Sequence, residues 1–159
     1  FVPGTDSWIS FSLMKSEQTI RETTKAPLPN SPGYNIGLFF QDYFPGYKRV
    51  QLNLKGVLSG GLPVTIPNKG YEDGYFRTPA YKRVDMGISY QLIEEDDLIR
   101  NRGFFRYLKN AWLGLDVFNL FDMKNVNSYY WITRSDNNQF AVPNYLTGRQ
   151  INVRLLIDF

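Results

Sequence analysis

The sequence has 159 residues, enough for one domain of ordinary size, and its 18 Lys and Arg residues against 15 Asp and Glu residues give a formal net charge of +3. It contains no Cys and no His, which excludes disulfides, thiolate or imidazole metal ligands and a Ser-His-Asp catalytic triad. The weak positive charge, without a run of basic residues, gives no reason to expect binding to nucleic acid.

The sequence starts at Phe1 and its earliest Met is Met14, so we expect a processed chain or a segment of a longer protein. No signal peptide is recognisable at its start. A transmembrane helix needs about 18 or more consecutive apolar residues, and no such stretch is present.

Six segments alternate apolar and polar residues with a period of two, which predicts amphipathic β-strands. They are, in chain order, residues 7–15, 34–44, 48–58, 82–92, 111–121 and 149–159. The apolar positions of the last segment are Ile151, Val153, Leu155, Ile157 and Phe159. On its other side, Leu156 is the one apolar residue among polar ones.

The connections between these strands differ strongly in length. The second and third strands are joined by a tight turn at Pro45-Gly46-Tyr47, where Pro presets φ and Gly permits a positive φ. The connections 16–33, 60–80 and 122–148 are long, and the last contains a predicted extra strand at 129–133. The connection 93–110 is also long, and its aromatic and basic residues fit either a short amphipathic helix at a membrane surface or a solvated turn.

Strand length and aromatic placement favour a transmembrane β-barrel. A tilted strand of about 11 residues spans about 26 Å, close to the apolar band of about 25 Å in such barrels. Aromatic residues near strand ends would suit a girdle at the membrane surface: Tyr43, Phe44, Tyr47, Tyr81, Trp112 and Phe159. The same alternation also fits a soluble β-sandwich with one hydrated face, so that alternative stays open.

The carboxy-terminal third contains FNLFD at 118–122, NVNSYYWI at 125–132 and PNYLTGR at 143–149, followed by a strand that ends on Phe159. With LFFQDY at 38–43 and RVDMG at 83–87, these segments resemble the final strands of TonB-dependent outer-membrane receptors of the Bacteroidetes type. The resemblance covers essentially all of residues 1–159. It implies an all-β fold, an antiparallel transmembrane β-barrel of about 22 strands, of which this chain would supply about six carboxy-terminal strands.

The resemblance also implies a function and a location, the bacterial outer membrane. The function would be TonB-energised uptake of a scarce, bulky solute such as an iron chelate, cobalamin or a glycan. The partners would be outer-membrane lipid, the rest of the barrel with its plug, the TonB–ExbB–ExbD complex acting through an amino-terminal region, and the barrel-assembly machinery. The barrel-assembly machinery would recognise Phe159 as its signal. The final strand would end in the periplasm, and the connections 16–33, 60–80 and 122–148 would therefore lie outside the cell.

Two other functions remain as alternatives. A receptor-like barrel could serve as a scaffold in an outer-membrane complex without transporting anything. A soluble β-sandwich could bind carbohydrate, with aromatic side chains as stacking platforms. The chain is not expected to be an enzyme, because no base is placed to activate a Ser or Thr nucleophile and no Gly-rich phosphate loop is present.

Two groups of residues are candidate sites. Six charged residues are predicted to face the barrel lumen, where they would guide a solute, contact the plug or form a solvated charge network: Lys55, Arg83, Asp85, Asp116, Arg149 and Arg154. In the outer loops, Tyr129, Tyr130 and Trp131 would stack on a ligand or pack at the rim. The acidic run 94–97 and the polar run 135–138 are predicted to be solvated turns, and no metal or cofactor is expected.

Overall fold

The computed structural model describes residues 6–20, 24–94, 103, 107–136 and 138–159. This part of the chain consists of antiparallel β-strands and loops with a short 3-10 helix at Tyr71–Asp73, and it contains no α-helix. No helix in these ranges is long and apolar enough to cross a membrane. The predicted all-β, antiparallel fold class is therefore confirmed.

Six strands form the central sheet, and they are the six that the alternation predicts. Their bounds are β1 (Asp6–Leu13), β4 (Tyr34–Phe44), β5 (Tyr47–Ser59), β8 (Tyr81–Ile93), β9 (Asn110–Phe118) and β12 (Gln150–Asp158). They lie in the order β1–β4–β5–β8–β9–β12, and every neighbouring pair is antiparallel. The sheet is thus a simple meander, which is open because β1 and β12 each have one neighbour among the described strands.

The three long connections fold into two-stranded hairpins at one edge of the central sheet, which we call the hairpin edge. The pairs Leu13–Tyr34 and Ser59–Tyr81 mark this edge. The hairpins are β2 (Glu17–Ile20) with β3 (Thr24–Pro27), β6 (Pro63–Thr65) with β7 (Tyr75–Arg77), and β10 (Val126–Thr133) with β11 (Gln139–Tyr145). The predicted extra strand at 129–133 is confirmed as part of β10, and the other five strands were not predicted.

The opposite edge, the turn edge, carries the short turn between β4 and β5. Phe44 pairs with Tyr47 across Pro45 and Gly46, and the φ of 82° at Gly46 is the left-handed conformation that Gly adopts at little cost. The connection from β8 to β9 also lies at this edge. Most of it, including Glu95 to Asp97 and the predicted amphipathic helix, falls outside the residues described here.

The period-two pattern gives the central sheet one apolar and one polar face. Leu52, Ile88, Leu115 and Val153 form one row across four strands of the apolar face. Most side chains of this face are exposed, from 38% at Leu38 to 75% at Leu13, whereas those of the central strand β5, Leu52 among them, are half-buried. In the described part of the chain no second layer covers them, and the small buried cluster Ile93, Leu108 and Ala111 lies at the turn edge instead. A continuous apolar face of this kind, without a covering layer, is unusual for a soluble monomer.

The neighbouring row on the other face is polar. It runs through Asp6, Gln41, Asn53, Gly87, Asp116 and Asn152, one residue from each strand. Three aromatic residues proposed for a membrane girdle also lie on this polar face: Tyr43, Tyr81 and Trp112. A girdle requires side chains on the apolar face, so that interpretation is wrong for these three residues.

Candidate functional site

The polar face is where the structure brings the predicted lumen-facing residues together. Lys55 pairs with Asp85 across β5 and β8, and Asp116 pairs with Gly87 across β8 and β9. Arg154 lies opposite Gly114 in the next strand pair. Arg83 is two residues from Asp85 on the same side of β8, so five of the six charged residues share this face.

The sixth residue, Arg149, lies before β12 and outside the central sheet. Its backbone N–H donates to Asp122 Oδ1 at 2.9 Å, which ties the start of the last strand to the end of the FNLFD segment. Asp122 has a φ of 53°, the left-handed conformation that Asp tolerates better than most residues. In this structure the contact that Arg149 makes is therefore a backbone contact at the hairpin edge.

Four of these five charged residues form two unequal pairs. Arg83 Nε lies 2.7 Å from Asp85 Oδ1, and its guanidinium also stacks over the Phe118 ring at 5.5 Å. Arg154 Nη2 lies 3.9 Å from Asp116 Oδ1, and the Arg154 side chain is 55% exposed. A long, exposed pair contributes little to stability, so only the first pair is expected to hold structure in place.

A trough of about 620 Å³ lies on the polar face, and of these charged residues Asp116 and Arg154 line it. Its floor is formed where Asn53 and Asp116 lean over Gly87, so closely that a Cβ on Gly87 would overlap both side chains. Aromatic side chains, Phe39 and Trp112 among them, line it. Aromatic faces beside amide, carboxylate and guanidinium groups can hold a polar solute or a protein segment by stacking and hydrogen bonds.

The FNLFD segment forms a tight loop at the hairpin edge, and its first residue, Phe118, lines the trough. Asn119 has a φ of 52° and is 3% exposed. Its side chain donates to Met123 O at 3.0 Å and accepts from Met123 N at 2.9 Å. Its backbone N–H donates to Asp85 Oδ1 at 2.8 Å, so the loop is bonded to β8. The motif that carries the family resemblance is thus a structural element in this chain.

A second buried Asn holds the same loop. The Asn125 side chain accepts from Lys82 N at 2.8 Å and donates to Lys82 O at 2.7 Å, which copies the backbone pairing of a neighbouring strand. Asn125 is 7% exposed, and its backbone carbonyl also accepts from Leu146 N at 2.8 Å. Asn125 therefore joins β8 to the segments before and after the β10–β11 hairpin.

Replacing Asn125 by Ala is expected to lower the free energy of unfolding by about 2 kcal/mol, because both backbone groups of Lys82 lose their partner in a shielded place. Asn127→Ala is the matched control, since Asn127 is exposed on β10. Unfolding in urea, followed by tryptophan fluorescence, measures the difference. Equal midpoints for the two variants would contradict the role given to Asn125.

The aromatic triplet of the β10–β11 hairpin is split between two sides of β10. Tyr129 and Trp131 pack edge-on against Phe76 of β7, with ring centroids 5.3 and 6.1 Å apart. Tyr130 points to the other side and is 63% exposed. Two of the three predicted ligand-stacking residues therefore join neighbouring hairpins, and Tyr130 is the one left open to solvent.

Arg77, which the sequence pattern did not single out, joins the β6–β7 hairpin to the segment after β3. Its Nη1 donates to Ser31 O and to Gly61 O, both at 2.8 Å. A sequence signal for this junction exists in the Gly60-Gly61 pair, because Gly pairs often mark close backbone approaches. A Cβ on Gly60 would overlap the Pro32 carbonyl and a Cβ on Gly61 the Thr78 carbonyl.

Phe159 follows β12 and is 68% exposed. Its proposed recognition by the assembly machinery stays a prediction. Within the described ranges no group of three or more acidic residues is placed to hold a metal ion together. Comparison of the sequence and structure with protein-family models, curated proteins and solved structures found no match.

Proposed function

We propose that this chain is part of the wall of a transmembrane β-barrel in the bacterial outer membrane, and that the barrel takes up a scarce, bulky solute with energy from TonB. The observation that carries the proposal is the central sheet itself. One of its faces is apolar and uncovered, while the other carries paired charges and a trough. A barrel wall needs this division, because one side meets lipid and the other meets water or a plug.

The connections support the same proposal. All three hairpins lie at one edge of the sheet, and the two-residue turn between β4 and β5 lies at the other. Outer-membrane barrels have long loops on the outside and short turns in the periplasm. The two edge strands, β1 and β12, leave backbone groups that further strands of a barrel would bond. The smallest such barrels have about eight strands, so six strands require additional strands from elsewhere.

The TonB-energised uptake itself is proposed from the resemblance of the FNLFD, NVNSYYWI and PNYLTGR segments and of the terminal Phe159. The trough on the polar face suits this role, because its aromatic and charged groups can contact a solute or a plug. A solute-binding wall needs no catalytic residues. The scaffold alternative shares the same barrel and differs only in whether anything passes through it.

The first test is the physical state of the complete protein that carries this sequence. We expect it in the outer-membrane fraction, soluble only with detergent, and migrating faster on a denaturing gel before boiling than after, as folded barrels do. A folded, monodisperse monomer obtained without detergent would overturn the membrane proposal and favour the sugar-binding module.

The second test separates transport from scaffolding. Strains with and without the gene are compared for uptake of labelled iron chelates, cobalamin and glycans, each in the presence and absence of TonB. Uptake of one solute that requires both the gene and TonB supports the transporter. Unchanged uptake of all of them would overturn transport and leave the scaffold.

A further inference from the structure

A groove of about 350 Å³ lies on the apolar face at the hairpin edge. Leu38 and Val84 flank it along the sheet, and Phe121 and Met123 of the FNLFD loop form its outer wall. Phe121 is 60% exposed and Met123 is 37% exposed, so both side chains extend beyond the sheet. The groove is almost entirely apolar and faces away from the trough.

The floor of the groove exists because β5 has a Gly there. Gly56 pairs with Leu38 on one side and with Val84 on the other, in the middle of an otherwise apolar row. A Cβ at Gly56 would touch only the Leu38 side chain, at 3.6 and 3.8 Å, which is ordinary contact distance. No close backbone approach therefore requires Gly at this position. The absence of a side chain on Gly56 leaves open space at the floor of the groove.

The wall of the groove is held firmly. Leu120 N donates to Val84 O at 2.7 Å, and the Asn125 side chain bonds both backbone groups of Lys82. Phe121 and Met123 lie between these two attachment points. The loop that carries both side chains is therefore bonded to β8 on either side of them.

A positive charge stands at the end of this groove. Lys82 pairs with Leu58, which places its side chain on the apolar face at the hairpin edge. Lys82 is exposed and makes no ion pair with any residue in the described ranges. Lys124, directly after Met123, is exposed as well. A flexible cation at the boundary of an apolar surface complements the phosphate of a lipid whose chain lies on that surface.

We propose that this groove binds one acyl chain of a phosphate-bearing membrane lipid, with the Lys82 ammonium on the lipid phosphate. The proposal rests on the proposed membrane location. The phosphate then lies at the level where the hairpins leave the bilayer, and the chain runs along the row over Gly56. Van der Waals contact with Phe121 and Met123 holds the chain, and the charge selects the headgroup.

The test uses the complete protein in detergent micelles, titrated with dioleoyl phosphatidic acid, with dioleoylglycerol and with glycerol phosphate, and bound lipid is counted by native mass spectrometry. Phosphatidic acid is expected to bind best. Lys82→Gln is expected to reduce its affinity about fivefold and to leave binding of dioleoylglycerol unchanged. Gly56→Val fills the floor and is expected to abolish the binding of both diacyl lipids, while the fold tolerates the added side chain.

Two variants serve as controls. Lys55→Gln removes a charge from the polar face, and Val153→Leu adds volume to the apolar face outside the groove, so neither should change lipid binding. Equal affinity for phosphatidic acid and dioleoylglycerol, or a Gly56→Val protein that binds like the original, would overturn the lipid site. Insertion into vesicles is measured in parallel. Failure to insert contradicts the barrel itself, whereas an inserted protein without the preference contradicts only the lipid site.

Discussion

Replacing Val153 by Arg is expected to lower the free energy of unfolding in a lipid bilayer by about 2–4 kcal/mol. Val153 lies near the middle of β12 on the apolar face and is 68% exposed. In a barrel this exposed side chain meets hydrocarbon, where an Arg must be desolvated or drag water and lipid headgroups inward. In a soluble protein the same exposed position would accept Arg with a change within about 0.5 kcal/mol.

Asn152→Arg is the matched control, one residue away on the same strand. Asn152 pairs with Asp116 on the polar face, so the new guanidinium would meet water and a carboxylate. We expect its effect to be below about 1 kcal/mol. Both variants are folded into vesicles and unfolded in urea, and the folded fraction is read from gel mobility. Similar effects of the two substitutions would contradict a lipid-facing apolar surface.

The Val153→Arg and Asn152→Arg variants can be compared directly because neighbouring residues of each strand lie on opposite faces of the sheet. Leu52, Ile88, Leu115 and Val153 lie in one row, and the next row on the other face carries Asp116 and Asn152. A one-residue change in register would exchange the environments of every one of these side chains. The sheet register is therefore fixed by the same pattern that separates lipid from water in the proposed barrel.

The strands of the central sheet could be predicted because their signal is local. In β12 every odd-numbered position from Ile151 to Ile157 is apolar, and alternation of this kind needs no knowledge of the partner strand. The β2–β3 and β6–β7 hairpins could not be predicted because their strands have only three or four residues, which is too short to show a period, and because β3 and β6 contain Pro. Arg77 and Phe76 of β7 connect the β6–β7 hairpin to other loops through contacts between residues far apart in the sequence.

The candidate site was predicted only in part, for a related reason. Alternation assigns Lys55, Asp85 and Asp116 to one face, and the register agrees. Alternation does not predict which charged residues form ion pairs, and it does not predict the contacts made by loops. The bonds of Asn119 to Asp85 and of Asn125 to Lys82 join residues 34 and 43 positions apart, and such partners are set by the topology.

The apolar groove could not be predicted from the alternation of apolar and polar residues either. In the sequence, Gly56 is recognisable only as a residue that weakens a strand, and nothing indicates that its missing side chain leaves open space on the apolar face. The space becomes a groove only because the loop after β9 returns to β8 and places Phe121 and Met123 beside it. The hydrogen bond between Leu120 and Val84, residues far apart in the sequence, thus makes the open space over Gly56 part of a groove.

Replacing Asp85 by Ala is expected to lower the free energy of unfolding by about 2–3 kcal/mol. Asp85 Oδ1 accepts from Arg83 Nε at 2.7 Å and from Asn119 N at 2.8 Å, and the side chain is 18% exposed. The variant leaves a guanidinium and a backbone N–H without this acceptor. Asp85→Asn keeps an acceptor oxygen and should recover about half of the loss, because hydrogen bonds to a charged group are the stronger ones.

Asp116→Ala provides the control for Asp85→Ala, since it removes a carboxylate from the same face with an Arg partner at 3.9 Å that is 55% exposed. We expect its cost to be below about 1 kcal/mol. Urea unfolding measures stability, and amide hydrogen exchange at 119–125 measures the loop. If Asp85 holds the loop, exchange there accelerates in Asp85→Ala and stays unchanged in Asp116→Ala. Equal exchange in both would mean that the loop is held by Asn119 and Asn125 alone, and that Asp85 serves only the charge pair on the polar face.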